Sequence, residues 1–198
     1  MTRIVFVRHA ESAPSSHLPE RAWPLSDLGR RQASELAAML AELGVEALAS
    51  SPHQRAIETL QPYAGQAGLA IAVDEGLRER SLGGWIADPA EVEEAVRRMH
   101  ADLSYRREGG ESGHACLARF DDAVGRVVET NQGRCVAIGS HGGVLSHFLA
   151  RADAGLPPDF WRRIRNPHIF IFDVTGKPRW EGERTLDGAP GVLAPGNA

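Results

Sequence analysis

Two histidines each follow a short apolar run. Ile4-Val5-Phe6-Val7 leads into Arg8-His9-Ala10-Glu11, and Val136-Ala137-Ile138-Gly139 leads into Ser140-His141-Gly142-Gly143. An imidazole can serve as nucleophile or proton carrier, and a guanidinium is a fixed, forked cation that suits phosphate or carboxylate better than an ammonium does. A third segment supplies a second guanidinium: Val45-Glu46-Ala47-Leu48-Ala49 precedes Ser50-Ser51-Pro52-His53-Gln54-Arg55. There Pro52 is placed to open a helix, with Arg55 one turn into it. If these segments meet at one rim, Arg8, Arg55, His9 and His141 make a phosphate pocket.

The elements that must bring them together are legible in outline. The apolar runs read as strands buried on both faces of an open α/β sheet, where ligands collect beyond the carboxyl ends. Ser26 or Asp27 can cap a helix whose apolar positions Leu28, Leu36, Met39, Leu40 and Leu43 recur at helical spacing and which ends at Gly44. Leu69-Ala70-Ile71-Ala72-Val73 makes a third strand. The βαβαβ alternation predicts right-handed crossovers and a three-layer α/β/α sandwich around a mainly parallel central sheet. Residues 112–130 read as a helix leading to the His141 strand, and Ile169-Phe170-Ile171-Phe172-Asp173-Val174 as a late strand. Between the third strand and that helix, residues 74–111 form a charged, glycine-punctuated, lid-like insertion with a helix-like run from Pro89 to Leu103. Residues 188–198, rich in Gly, Pro and Ala, read as a loose tail on one domain of 198 residues.

Four motifs, in order along the chain, resemble the histidine phosphatase superfamily, the phosphoglycerate mutase-like fold. Arg8-His9-Ala10-Glu11-Ser12 is similar to the family's Arg-His-Gly start. Pro24-Leu25-Ser26-Asp27-Leu28-Gly29-Arg30-Arg31-Gln32-Ala33 is similar to its Pro-Leu-Thr-x-x-Gly-x-x-Gln-Ala helix opening. Ser50-Ser51-Pro52-His53-Gln54-Arg55-Ala56-Ile57-Glu58-Thr59 and Gly139-Ser140-His141-Gly142-Gly143 supply the other two. Leu77-Arg78-Glu79-Arg80-Ser81-Leu82-Gly83-Gly84-Trp85 resembles the family's Leu-x-Glu segment. The resemblance implies a metal-independent phosphatase without cofactor in which His9 takes the phosphoryl group. It also implies that Arg8, Arg55 and His141 hold the phosphoryl oxygens, and that Glu79 is the general acid and base. Glu75 and Glu111 remain alternatives for that last role. Ser15, Arg80 and Trp85 are expected on the substrate-binding rim. Two departures stand out: Ala10 occupies the usual glycine position, and the segment from Ser12 to Trp23 does not follow the mutase pattern. The second favours hydrolysis over a cofactor-dependent mutase, which stays an alternative alongside a catalytically silent phosphate-binding module.

Composition narrows the partners. The net charge of −4 offers no basic field for nucleic acid or an acidic membrane, and no run approaches the roughly 20 apolar residues of a membrane span. The expected partner is a small phosphorylated substrate. Cys116 and Cys135, the only cysteines, form no C-x-x-C pair and read as free thiols in a reducing cytoplasm. His17, His53, His100, His114, His147 and His168 are scattered without metal-ligand spacing. Arg97, Arg98, Arg106 and Arg107 read as a solvated face of the insertion, within reach of an anionic part of the substrate. Ile138-Gly139-Ser140-His141-Gly142 fails as a serine-hydrolase elbow because isoleucine stands where the first glycine is needed.

Overall fold

The computed structural model describes residues 1–153, 155–157, 159–175 and 178–188. Its strands are β1 (Arg3–Arg8), β2 (Ala47–Ser50), β3 (Ile71–Val73), β4 (Cys135–Ser140), β5 (His168–Asp173) and β6 (Arg179–Thr185), joined in one sheet of order β3-β2-β4-β1-β5-β6. The first four pair in parallel, β5 runs antiparallel to β1, and β6 antiparallel to β5. The helices are α1 (Asp27–Glu42), α2 (Gln54–Ala67), α3 (Pro89–Ala101), α4 (Gly113–Thr130) and α5 (Gly142–Ala152). Among the described residues no helix is long and apolar enough to cross a membrane.

The two-residue period of the strands divides the interior into two cores. Val5 and Val7 of β1 face α1 and α2, packing with Leu36, Leu40, Leu60 and Tyr63. Ile4 and Phe6 face the other way, toward Phe120 of α4 and Phe148 of α5. Phe6 sits 5.0 Å from the ring of Phe148 and 5.8 Å from those of Phe120 and Phe172. Helices therefore cover both faces, and the central strands read as unbroken apolar runs because neither face meets water.

Helix ends follow local chemistry. Ser26 rather than Asp27 caps α1, its Oγ accepting the Gly29 N–H at 2.9 Å, and Gly44 beyond the C-terminus takes φ +67°. Ser112 caps α4 in the same way. The helix expected to open at Pro52 begins at Gln54 with His53 as its N-cap, so Arg55 lies in its first turn rather than one turn in. The cause is a serine turn: Ser51 Oγ accepts the His53 N–H at 3.2 Å, and His53 keeps an extended backbone as the N-cap. Strand β6 is an addition to the sequence expectation. Its residues are largely polar, and Trp180 is its packing contact with the core. The expected loose tail lies outside the described residues except for Gly188.

Candidate active site

The parallel strands β2, β4 and β1 are neighbours, so the segments leaving their carboxyl ends emerge side by side. Arg8 lies opposite Ser140 in the ladder, which brings His9 and His141 together with ring centroids 5.2 Å apart. The β2 exit contributes Ser51, His53 and, from the first turn of α2, Arg55. Arg8, His9 and Glu79 line a cavity of about 480 Å³, while His141 and Arg55 stand beside His9 and are buried.

The contacts of His9 fix its tautomer. Nδ1 lies 2.7 Å from the Ala10 carbonyl oxygen, which can only accept, so Nδ1 carries the proton and Nε2 keeps its lone pair. Asn166 donates to the His9 carbonyl at 2.7 Å and steadies the backbone. The Ala10 methyl packs with Leu25 and Ala33, and its N–H donates to Thr59 Oγ1, so the extra carbon relative to glycine is absorbed in a small apolar cluster. Burial first, then the charges of Arg55 and Arg8, hold the His9 imidazole well below its ordinary range. His141 is lowered by burial and Arg55, and His53 by the same two causes to about 4. All three rings are thus neutral near pH 7.

Around His9 the chain gathers polar atoms without hydrogen-bond partners: Arg8 Nε, His53 Nδ1 and His141 Nδ1 are buried and unbonded among the described residues. Such atoms are costly unless something satisfies them, and an oxyanion suits guanidinium and imidazole N–H groups. His141 Nε2 pairs with Ser51 Oγ at 2.6 Å; with Ser51 as donor, His141 carries its proton on Nδ1. Arg55 donates through Nε to His9 Nε2 at 3.2 Å and through its terminal nitrogens to the Glu20 backbone oxygen and Oε1 at 2.9 and 2.8 Å. Arg8 donates to the Ile164 carbonyl.

Glu79 reaches the cavity because the loop that carries it is tied at both ends. Arg119 of α4 donates to the carbonyls of Gly76, Arg78 and Glu79 at 2.8, 2.8 and 2.9 Å and forks onto Glu111. The Glu79 carboxylate accepts from Gly143 and Val144 at the N-terminus of α5, at 2.9 and 2.8 Å, and from its neighbour Arg80. A Cβ on Gly143 would stand 2.7 Å from Glu79 Oε1, and one on Gly142 2.9 Å from the Arg8 guanidinium. The glycine pair after His141 is therefore what allows both charged groups to close on the helix end. Of the two alternatives to Glu79, Glu111 is engaged by Arg119 and Arg78, and Glu75 pairs with Arg21 away from the cavity wall.

Of the three expected rim residues, Arg80 borders the cavity and Ser15 and Trp85 do not. Ser15 belongs to a turn, its carbonyl accepting from Trp23 Nε1, and does not line the cavity. Trp85 is 56% exposed and packs edge-on against Trp23, over which the Arg55 guanidinium lies at 5.5 Å. Arg80 borders the cavity but is buried, its donors spent on the carbonyls of Met99, Tyr105 and Glu111 and on His147 Nε2. Three histidines read as scattered are grouped: His53 packs edge-on against His141 at 4.7 Å, and His100 lies tilted against His147 at 4.7 Å. Asn166, Arg119 and Glu20 also went unread; of these only Asn166 carried a local signal, the turn-forming Asn-Pro pair.

Comparison with known proteins agrees with this geometry. The family model described as histidine phosphatase superfamily (branch 1) matches residues 4–181. A glucosyl-3-phosphoglycerate phosphatase of Mycolicibacterium vanbaalenii is 30% identical, over 97% of this chain and 89% of the relative. Phosphoglycerate mutase-like protein 4 of Arabidopsis thaliana is 32% identical, over 89% of this chain and 81% of the relative. Among solved structures, a mycobacterial glucosyl-3-phosphoglycerate phosphatase in complex with inorganic phosphate superposes with a TM-score of 0.74 at 25% identity, over 97% of this chain and 99% of that one.

Proposed function

The chain belongs to the histidine phosphatase superfamily, and we propose that it is a phosphomonoester hydrolase working through a phosphohistidine on His9. The observation that carries this reading is the His9 tautomer. With Nδ1 tied to the Ala10 carbonyl, the lone pair on Nε2 is the one available for attack, beside the unpartnered nitrogens of Arg8 and His141.

In the first step Nε2 forms a bond to phosphorus, the ester P–O bond breaks, and the departing oxygen takes a proton from the Glu79 carboxyl group. In the second, water attacks phosphorus, Glu79 takes the water's proton, and the N–P bond breaks to return the electron pair to Nε2. Arg8, Arg55 and His141 hold the non-bridging oxygens through both steps, a fixed arrangement of charge that needs little reorganisation. The insertion over residues 74–111 acts as the lid of a single domain: it carries Glu79, and Met99 and His100 of α3 line the same cavity. The substrate is a small phosphorylated molecule, and the free thiols of Cys116 and Cys135 suit the reducing cytoplasm.

The test is metal-free hydrolysis of an aryl phosphate by the wild-type protein and by His9→Ala, with quenched samples assayed for an acid-labile, base-stable phosphoenzyme. Turnover and phosphoenzyme that both vanish in the variant support the reading. Full activity in the variant, or a dependence on a bisphosphate primer, would overturn it.

A further inference from the structure

The cavity that holds His9 and Glu79 continues along α5. From Gly142 to His147 the helix advances five residues, about 7.5 Å at its usual rise, which is the reach of a leaving group beyond a bound phosphate. There the wall is made by Met99 and His100 of α3, by His147, and by Trp161 stacked on His100 at 4.8 Å with an interplanar angle of 8°. This arm is built for something other than charge. Its two cations are committed: Arg80 is buried with its donors on three carbonyls and His147, and Arg162 bonds Glu93 at 2.7 Å while lying 4.7 Å over Trp161. Arg97, Arg98, Arg106 and Arg107 do not line the cavity.

Resting on the phosphatase reading above, we propose that this arm receives an uncharged alcohol with an apolar ring or chain, and that His147 makes its polar contact. The geometry gives His147 that role. Arg80 can only donate, so the 2.8 Å contact makes His147 Nε2 the acceptor and leaves the proton on Nδ1, a hydrogen-bond donor on a wall shared with the apolar Met99 and Val96. Burial and Arg80 lower His100 to about 4, and burial, His100 and Arg80 lower His147 to about 3, so neither imidazole offers a positive charge to an anionic leaving group. The volume, about 480 Å³ for the whole cavity, suits a phosphate carrying one ring.

A matched pair of substrates tests this with the wild-type protein: 4-carbamoylbenzyl phosphate and 4-carboxybenzyl phosphate, alike in shape and different in charge. The amide should be preferred in kcat/KM by at least about tenfold, since Arg80 and Arg162 already hold other partners and a carboxylate would lose its water without gaining a direct ion pair. His147→Leu should then lower kcat/KM for the amide by about tenfold, through KM, toward the value for unsubstituted benzyl phosphate. Phosphoramidate, whose leaving group is ammonia, reports phosphorylation of His9 without filling the arm. No phosphoenzyme from it would overturn the phosphatase reading and this proposal together. A phosphoenzyme with equal use of the pair, or preference for the carboxylate, would overturn the arm's selectivity alone, and a folded His147→Leu with unchanged KM would overturn the role of His147.

Discussion

The carboxylate of Glu20 sits on the fork of Arg55. One oxygen is 2.8 Å from a terminal guanidinium nitrogen, and the Glu20 backbone oxygen takes the other at 2.9 Å. Arg55 is the buried partner and Glu20 the half-exposed one, so an arriving phosphate meets a cation already neutralised by a group free to leave.

Exchange of anions on Arg55 makes Glu20 a competitor of phosphate. Glu20→Gln should lower the inhibition constant of inorganic phosphate by about threefold to tenfold, the range of a charge-assisted hydrogen bond discounted for exposure. A raised constant would mean that Glu20 instead holds Arg55 in its working position.

Replacing the proton donor should separate substrates by leaving group. Glu79→Gln is expected to slow alkyl phosphates by about 10²–10⁴, the usual span for general acid catalysis, and aryl phosphates much less because phenolates leave unaided. Equal losses for both classes, measured in single turnovers, would remove Glu79 from that role.

Acid should act on the enzyme in two ways. His9 is held below the ordinary imidazole range by burial, Arg55 and Arg8, and it attacks only when neutral. The acid limb of kcat/KM, corrected for ionisation of the substrate, should therefore fall below pH 6.5. Acid should also lower stability. Unfolded imidazoles take up protons near pH 6.5, whereas folded His53, His100 and His147 resist until about 4, 4 and 3, so unfolding binds protons and the urea midpoint should drop between pH 6.5 and 4. A midpoint constant over that range would contradict the neutral histidine cluster.

The clamp on the Glu79 loop should be costly to lose. Arg119→Met leaves three carbonyls without their donor and Glu111 without its shorter guanidinium contacts, and is expected to cost about 3 kcal/mol of stability, typical of breaking a buried pair. Because the loop also carries the proton donor, kcat for alkyl phosphates should fall more than KM rises. Unaltered chemical denaturation would sink the clamp.

What the sequence disclosed were features set by short-range rules. Apolar runs such as Ile4-Val5-Phe6-Val7 announced strands buried on both faces, Ser26 or Asp27 and Ser112 announced helix starts, and His9, Arg55 and His141 stood beside those signals, whereas Glu79 was singled out by the resemblance of its segment. Features that depend on remote partners were silent. β6 is largely polar, and its register is dictated by β5 rather than by its own residues. Arg119 lies mid-helix where an arginine ordinarily meets water, and only the fold reveals that it faces three carbonyls. His53 and His147 were legible as residues and illegible as contacts, since the groups beside them, His141 and Arg80, lie 88 and 67 positions away along the chain.

The interval between the two active-site imidazoles, 5.2 Å, is close to the spacing of about 4.8 Å between neighbouring strands, because His9 and His141 each follow the end of one rung, Arg8 opposite Ser140. That interval is a dimension of the peptide group itself and owes nothing to which side chains fill the layers beneath. Changes in either core can therefore leave the gauge of this pair in place, so long as the ladder between β1 and β4 is kept.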